Sequence, residues 1–196
     1  PESGNWVMIQ LLGLALAPVW FLFTLVYLWD RHEREPIPRL LLTFFFGVLT
    51  AIPSVFGEIY LEAWTGLTTG PMFGSTFLYA FFVIALVEEF FKYTVVMLYA
   101  YPSKQFNEPY DGIMYAVAVS LGFAAIENVG YVYMGGVETA IMRMFTAVPM
   151  HAMCGIIMGY FIGIAKFKAG KNIGYKLMGL AAPLVIHGLY DFFLFW

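Results

Sequence analysis

Apolar stretches of about 20 residues recur along this 196-residue chain, each long enough to cross a hydrocarbon core of about 30 Å. A chain built this way must present most of its surface to lipid. The charge content agrees. Only 12% of residues are charged and 61% are hydrophobic, where a soluble domain needs roughly a quarter charged residues to cover itself. Cys154 is the single cysteine, so no internal disulfide is possible and helix packing must hold the fold.

Apolar runs between charged or Gly/Pro punctuation predict six helices, at about 6–29, 39–57, 74–100, 112–134, 145–165 and 176–196. The connections are short. The expected architecture is therefore an all-α, polytopic transmembrane helical bundle, with residues 1–196 forming a single membrane-embedded domain. Arg31, Arg34, Arg39, Lys104, Lys166, Lys168, Lys171 and Lys176 fall in or beside one set of loops. The opposite loops, at about 58–73 and 135–144, hold Glu58, Glu62, Glu138 and only Arg143. The positive-inside rule then puts the basic set in the cytoplasm and both termini outside. The first apolar run lacks a basic flank before it and a small-residue cleavage site after it, so no cleavable signal peptide is expected. No internal repeat is visible, which speaks against an inverted-repeat transporter.

Several predicted spans carry ionisable residues at depths where each costs about 2.5–3.5 kcal/mol on insertion scales. The third contains Glu88-Glu89-Phe90-Phe91-Lys92, in which Lys92 lies one helical turn beyond both carboxylates and can neutralise one of them. The fourth contains Glu127-Asn128, the fifth His151 and the sixth His187 with Asp191. A self-compensated ion pair that merely helps packing would explain any one of these. Four spans that each contribute a Glu or a His call for a shared site. At about 1.5 Å of rise per residue, Glu88, Glu127 and His187 fall near the midplane or slightly outward, with His151 nearer the outer face. The i,i+4 spacing lets Asp191 accept a hydrogen bond from His187 and orient its ring. His32 lies in a charged loop and is read as ordinary. Pro149 and Pro183 fall close to the two intramembrane histidines, and Gly155, Gly159 and Gly163 form a face suited to close helix packing.

Two carboxylate-bearing and two histidine-bearing helices can hydrolyse an amide in two ways. His151, His187 and a glutamate, Glu127 or Glu89, can hold a divalent metal such as zinc while another glutamate takes a proton from water. Alternatively a glutamate activates water directly and a histidine steadies the oxyanion. No HExxH or GxSG motif is present, and Tyr190-Asp191 lacks a matching GxGD. The same buried chain of acids and imidazoles would also suit a proton- or cation-coupled transporter. A third reading is an inactive scaffold that binds membrane helices through its glycine faces.

Glu88-Glu89-Phe90-Phe91-Lys92, Phe123-xxx-Glu127-Asn128, His151-xxx-Gly155 and His187-xxx-Asp191 resemble, in order, the motifs of the PrsW family of intramembrane proteases. The stretch Tyr27-Leu28-Trp29-Asp30 through Glu35-Pro36 is similar to that family's Tyr-xx-Asp…Glu-Pro segment, with Ile37 where a glutamate is often found. A more distant similarity reaches the CAAX-processing membrane proteases, in which a histidine often stands at the position of Glu127. The resemblance implies an enzyme of the bacterial inner membrane, surrounded by lipid and without a nucleic-acid partner. Its implied task is the first, site-1 cut in a single-pass anti-sigma factor, the opening step of a stress response. Glu88, Glu89, Glu127, His151 and His187 are the leading candidate catalytic residues, followed by Lys92, Asn128 and Asp191.

Overall fold

The computed structural model describes residues 2–30, 33–170 and 172–196. Arg31, His32 and Lys171, which the sequence reading assigns to basic loops, lie outside the described residues. The described residues contain helices and turns and no strand. We number the helices α1 (Glu2–Trp29), α2 (Ile37–Thr65), α3 (residues 73–100), α4 (Pro109–Phe145), α5 (Ala147–Phe167) and α6 (Ile173–Phe195). Trp6–Trp29, Ile37–Thr65, Pro109–Phe167 and Ile173–Phe195 are long and apolar enough to cross a membrane.

The third of these stretches is a hairpin. It turns back at Gly136, where φ is 69° and ψ −156°, and breaks again at Thr146 (φ −121°, ψ −78°), so that the part of α4 before Gly136 packs antiparallel to α5. Glycine sets the distance between the legs. A Cβ on Gly159 would stand 2.2 Å from the Gly112 carbonyl oxygen, and one on Gly163 would stand 2.2 Å from that of Pro109. The expected small-residue face on α5 thus packs against the start of α4. The same device joins α2 to α4. A Cβ on Gly47 would meet the Val119 carbonyl oxygen at 2.1 Å, and one on Gly122 that of Phe44 at 2.0 Å. Contacts this close strengthen dispersion and Cα–H···O attraction where no hydrophobic force drives helices together.

Helix α3 changes pitch along its length. It is α-helical over Phe73–Leu78, π-helical over Tyr79–Ala85, α-helical again over Leu86–Val95 and π-helical over Val96–Ala100. The segment bearing Glu88, Glu89 and Lys92 therefore sits between two widened turns, a pattern that recurs at functional sites. One helix runs past its expected end. Charged Glu58 and Glu62 suggest a loop after about 57, yet α2 continues to Thr65 and closes on left-handed Gly66. The first run of α4 ends at the Gly136 break, close to the expected end at about 134, and a second run continues to Phe145. Pro149 lies in the first turn of α5, where its missing N–H is no loss.

The loops before α2 and α4 and the end of α5 meet at one end of the bundle. Arg39 Nη1 donates to Gln105 Oε1 at 2.8 Å, and Asn107 Nδ2 donates to Glu33 Oε2 at 3.2 Å. Lys166 Nζ caps the carbonyls of Tyr101 and Ser103 at 2.6 and 3.1 Å. Here Glu35, in the loop before α2, is buried and accepts a hydrogen bond from the Tyr115 hydroxyl. Burial pushes the Glu35 carboxyl up to about 7, against the opposing effect of Tyr115.

Candidate active site

The charged and imidazole residues expected from the sequence converge. Glu88 and Glu89 come from α3, Glu127 from α4, His151 from α5, and His187 and Asp191 from α6. Lys92 is fully buried and donates three hydrogen bonds, which use all its protons: to Glu88 Oε2 at 3.0 Å, Glu89 Oε1 at 3.0 Å and His151 Nδ1 at 3.1 Å. Its ammonium also lies 3.9 Å from the centre of the Phe123 ring. With Nδ1 of His151 accepting from Lys92, Nε2 carries the proton and donates to Glu127 Oε2 at 2.8 Å.

His187 sits edge-on to His151, with ring centres 5.0 Å apart. Its Nδ1 donates to Glu89 Oε1 at 2.9 Å, and its Nε2 faces Asp191 Oδ2 at 3.3 Å and Glu88 Oε2 at 3.8 Å. The hydrogen bond that orients this ring therefore goes to Glu89. Asp191, expected in that role from its spacing, stands at the other nitrogen. Glu89 on Nδ1 fixes the His187 ring in the manner of a metal-binding histidine, whereas His151 has Lys92 on Nδ1 and Glu127 on Nε2, so that binding a metal would require it to release one of these partners.

Glu88, His151 and His187 are buried and each offers one ligand atom, all within 4.8 Å of one another. The expected glutamate ligands stand one contact further out, Glu89 behind His187 and Glu127 behind His151. Two observations fit a cation at this spot. Two nitrogens and one carboxylate oxygen are a donor set for a hydrolytic zinc site. The surroundings also carry surplus negative charge, since Glu58, Glu88, Glu89, Glu127 and Asp191 face only Lys92 and Arg143, and buried Glu89 Oε2 and Asp191 Oδ2 have no hydrogen-bond partner.

A cavity of about 380 Å³ opens onto the group. Glu88, Glu127, His151, His187 and Asp191 line it, together with Ala51, Val55 and Glu58 of α2 and Ile126, Gly130 and Met134 of α4. Helices α2 and α4 touch at Gly47 and Gly122 and separate above that crossing, which creates the opening. Glu127 keeps 21% of its side chain exposed, while that of Glu89 is fully enclosed, so these two carboxylates have different access to water. Asn128 points away from the cavity and donates to the Ala15 carbonyl of α1 at 2.7 Å.

Two members of this site escape sequence reasoning. Arg143 reads as an outer-loop cation, yet it is buried, with Nη2 2.9 Å from Glu127 Oε2 and Nε donating to Asn128 Oδ1 at 2.7 Å. Glu58 reads as the loop residue that ends span two, yet it lines the cavity. A charged side chain at helical spacing beyond an apolar run was the available signal for Glu58. Arg143 offered none along the sequence.

Imidazoles, carboxylates and a compensating ammonium buried together in an apolar helical bundle are the groups a membrane-embedded hydrolase would need. Residues 35–196 match the family described as PrsW family intramembrane metalloprotease. Protease PrsW of Geobacillus kaustophilus is 41% identical over 187 residues, covering 95% of this chain and 80% of that protein. Protease PrsW of Bacillus subtilis is 36% identical over 188 residues, 95% of this chain and 84% of that one, and Protease PrsW of Clostridioides difficile is 32% identical over 193 residues, 95% and 79%. No solved structure matches the chain. The chain belongs to the PrsW family. It is a multi-pass bacterial membrane protein and a membrane-embedded endopeptidase.

Proposed function

We propose that this endopeptidase makes the first, site-1 cut in a single-pass anti-sigma factor, using zinc held by Glu88, His151 and His187. The observation that carries the reading is the convergence of those three residues on the cavity between α2, α4 and α6. The domain spans residues 1–196 and crosses the bilayer six times, with both termini extracytoplasmic. In support, α3 is as long as its neighbours, and Arg34, Arg39, Lys104, Lys166, Lys168 and Lys176 gather near one end of the bundle, which becomes the cytoplasmic end.

When bound, the metal polarises the scissile carbonyl and acidifies a water. The chain's own residues do the rest. Glu127, the carboxylate on the cavity wall, takes a proton from water and returns it to the departing amide nitrogen. Glu89 holds the His187 ring, and Lys92 offsets the paired carboxylates. Val55, Ile126 and Met134 seat an extended segment of substrate and keep bulk water out.

The test is cleavage of a single-pass anti-sigma factor co-reconstituted in liposomes, with and without a chelator, followed by mass spectrometry of the products. Cutting near the extracytoplasmic face that chelation stops and zinc restores is expected. Chelator-resistant cutting replaces the metal with direct glutamate catalysis. An intact substrate overturns the assignment.

A further inference from the structure

We infer that Arg143 is a positioning residue for Glu127, and that the break at Gly136 exists to deliver it; the inference rests on the catalytic role proposed for Glu127. Along a straight helix, residues 128 and 143 would stand about 22 Å apart. Here Arg143 Nε reaches Asn128 Oδ1 at 2.7 Å. The chain folds back because Gly136 adopts φ 69° and ψ −156°, a conformation open in practice only to glycine. The preceding position is constrained as well, since a Cβ on Gly135 would lie 2.0 Å from Thr139 Oγ1. Residues beyond the turn then pack inward, with Ala140 buried against Ala15 and Val132.

Arg143 meets three groups there. Its Nη2 pairs with Glu127 Oε2 at 2.9 Å, its Nε holds Asn128, and its guanidinium lies 4.1 Å from the centre of the Tyr131 ring. Asn128 is itself fastened to α1 through the Ala15 carbonyl at 2.7 Å. Glu127 Oε2 thus sits between two partners, the Arg143 guanidinium as an ion pair on one side and His151 Nε2 as a hydrogen-bond donor on the other. A forked, planar cation does this better than an ammonium, because one side chain grips both the carboxylate and the amide that anchors the helix. A guanidinium brought back through a glycine turn into a bilayer interior costs too much to serve as a surface charge.

The test compares wild type, Arg143→Gln, Arg143→Lys and Glu127→Gln/Arg143→Gln, measuring cleavage of a single-pass reporter in liposomes and thermal unfolding in detergent. Arg143→Gln should lower kcat by about a hundredfold with KM changed less than about threefold, and Arg143→Lys should recover about a tenfold part of the loss. The double variant should unfold closer to wild type than Arg143→Gln does, because removing both partners spares a stranded buried carboxylate. A raised KM at unchanged kcat, no recovery with lysine, or additive losses of stability would each overturn the inference. If wild type cuts no reporter the proposed function fails, while the unfolding comparison still decides the pairing.

Discussion

Lys92 and His151 are joined across two helices, Nζ to Nδ1, at 3.1 Å. Because Lys92 also holds Glu88 and Glu89, a single ammonium ties the acid pair of α3 to the imidazole of α5. That makes it the electrostatic keystone of the centre. Lys92→Met removes the one ammonium that two adjacent buried carboxylates share and should cost about 3–5 kcal/mol. Lys92→Met/Glu88→Gln should recover part of that cost. Unfolding in detergent, followed for both variants, reads the difference.

Residues that touch the reacting atoms and residues that orient them should separate by magnitude. Glu88→Gln, His151→Ala and His187→Ala are expected to lower cleavage by at least about a thousandfold. Asp191→Asn, whose carboxylate stands 3.3 Å from His187 Nε2, should lose about 10- to 100-fold. Cleavage rates of folded variants in liposomes provide the comparison.

Two glycines should answer enlargement in opposite ways. A Cβ on Gly130 meets open space at the mouth of the cavity, so Gly130→Leu should fold normally and obstruct the substrate. Gly159→Leu forces its side chain into the Gly112 backbone and should destabilise the α4–α5 hairpin by about 3 kcal/mol. Thermal midpoints and cleavage assays on the pair tell a blocked entrance from a broken bundle.

Glu35 gives its end of the bundle a pH dependence. Its carboxyl titrates at about 7 when folded against an ordinary value of 4.5, so between these limits the folded state binds more protons. Stability from this group is complete below about pH 4.5 and is lost as pH rises through 7. The difference in thermal midpoint between wild type and Glu35→Gln should therefore move in favour of the variant from pH 5 to pH 8. A difference that stays constant with pH would refute the assignment.

Much of this molecule is legible along the chain because ionisable residues in apolar runs are conspicuous. Glu88, Glu127, His151 and His187 stand out for the energy each costs in lipid, and the structure brings all four together. Gly155, Gly159 and Gly163 announce a packing face through their spacing alone. What stays hidden depends on backbone paths that periodicity does not encode. The turn at Gly136 carries Arg143 back to Glu127, so its distance along the sequence misleads. Glu58 reads as loop because a charge normally ends a span, whereas here it lines the cavity. Which glutamate stands nearest both histidines depends on how α3 is rotated, and the change to a wider helical pitch over Tyr79–Ala85 left no recognisable mark in the residues.

That wider pitch has a consequence for how the enzyme can tolerate length changes. A π turn holds about one residue more than the α turn it replaces, and one residue is about 100° of azimuth. Deleting a single residue from Tyr79–Ala85 would let the wide turn close to an α turn, leaving Glu88, Glu89 and Lys92 bonded among themselves and still facing His151 and His187. The acid pair and its cation are thus one rotor, and the wide turn before it is where the chain can lose a residue without changing the phase at which the rotor meets the histidines.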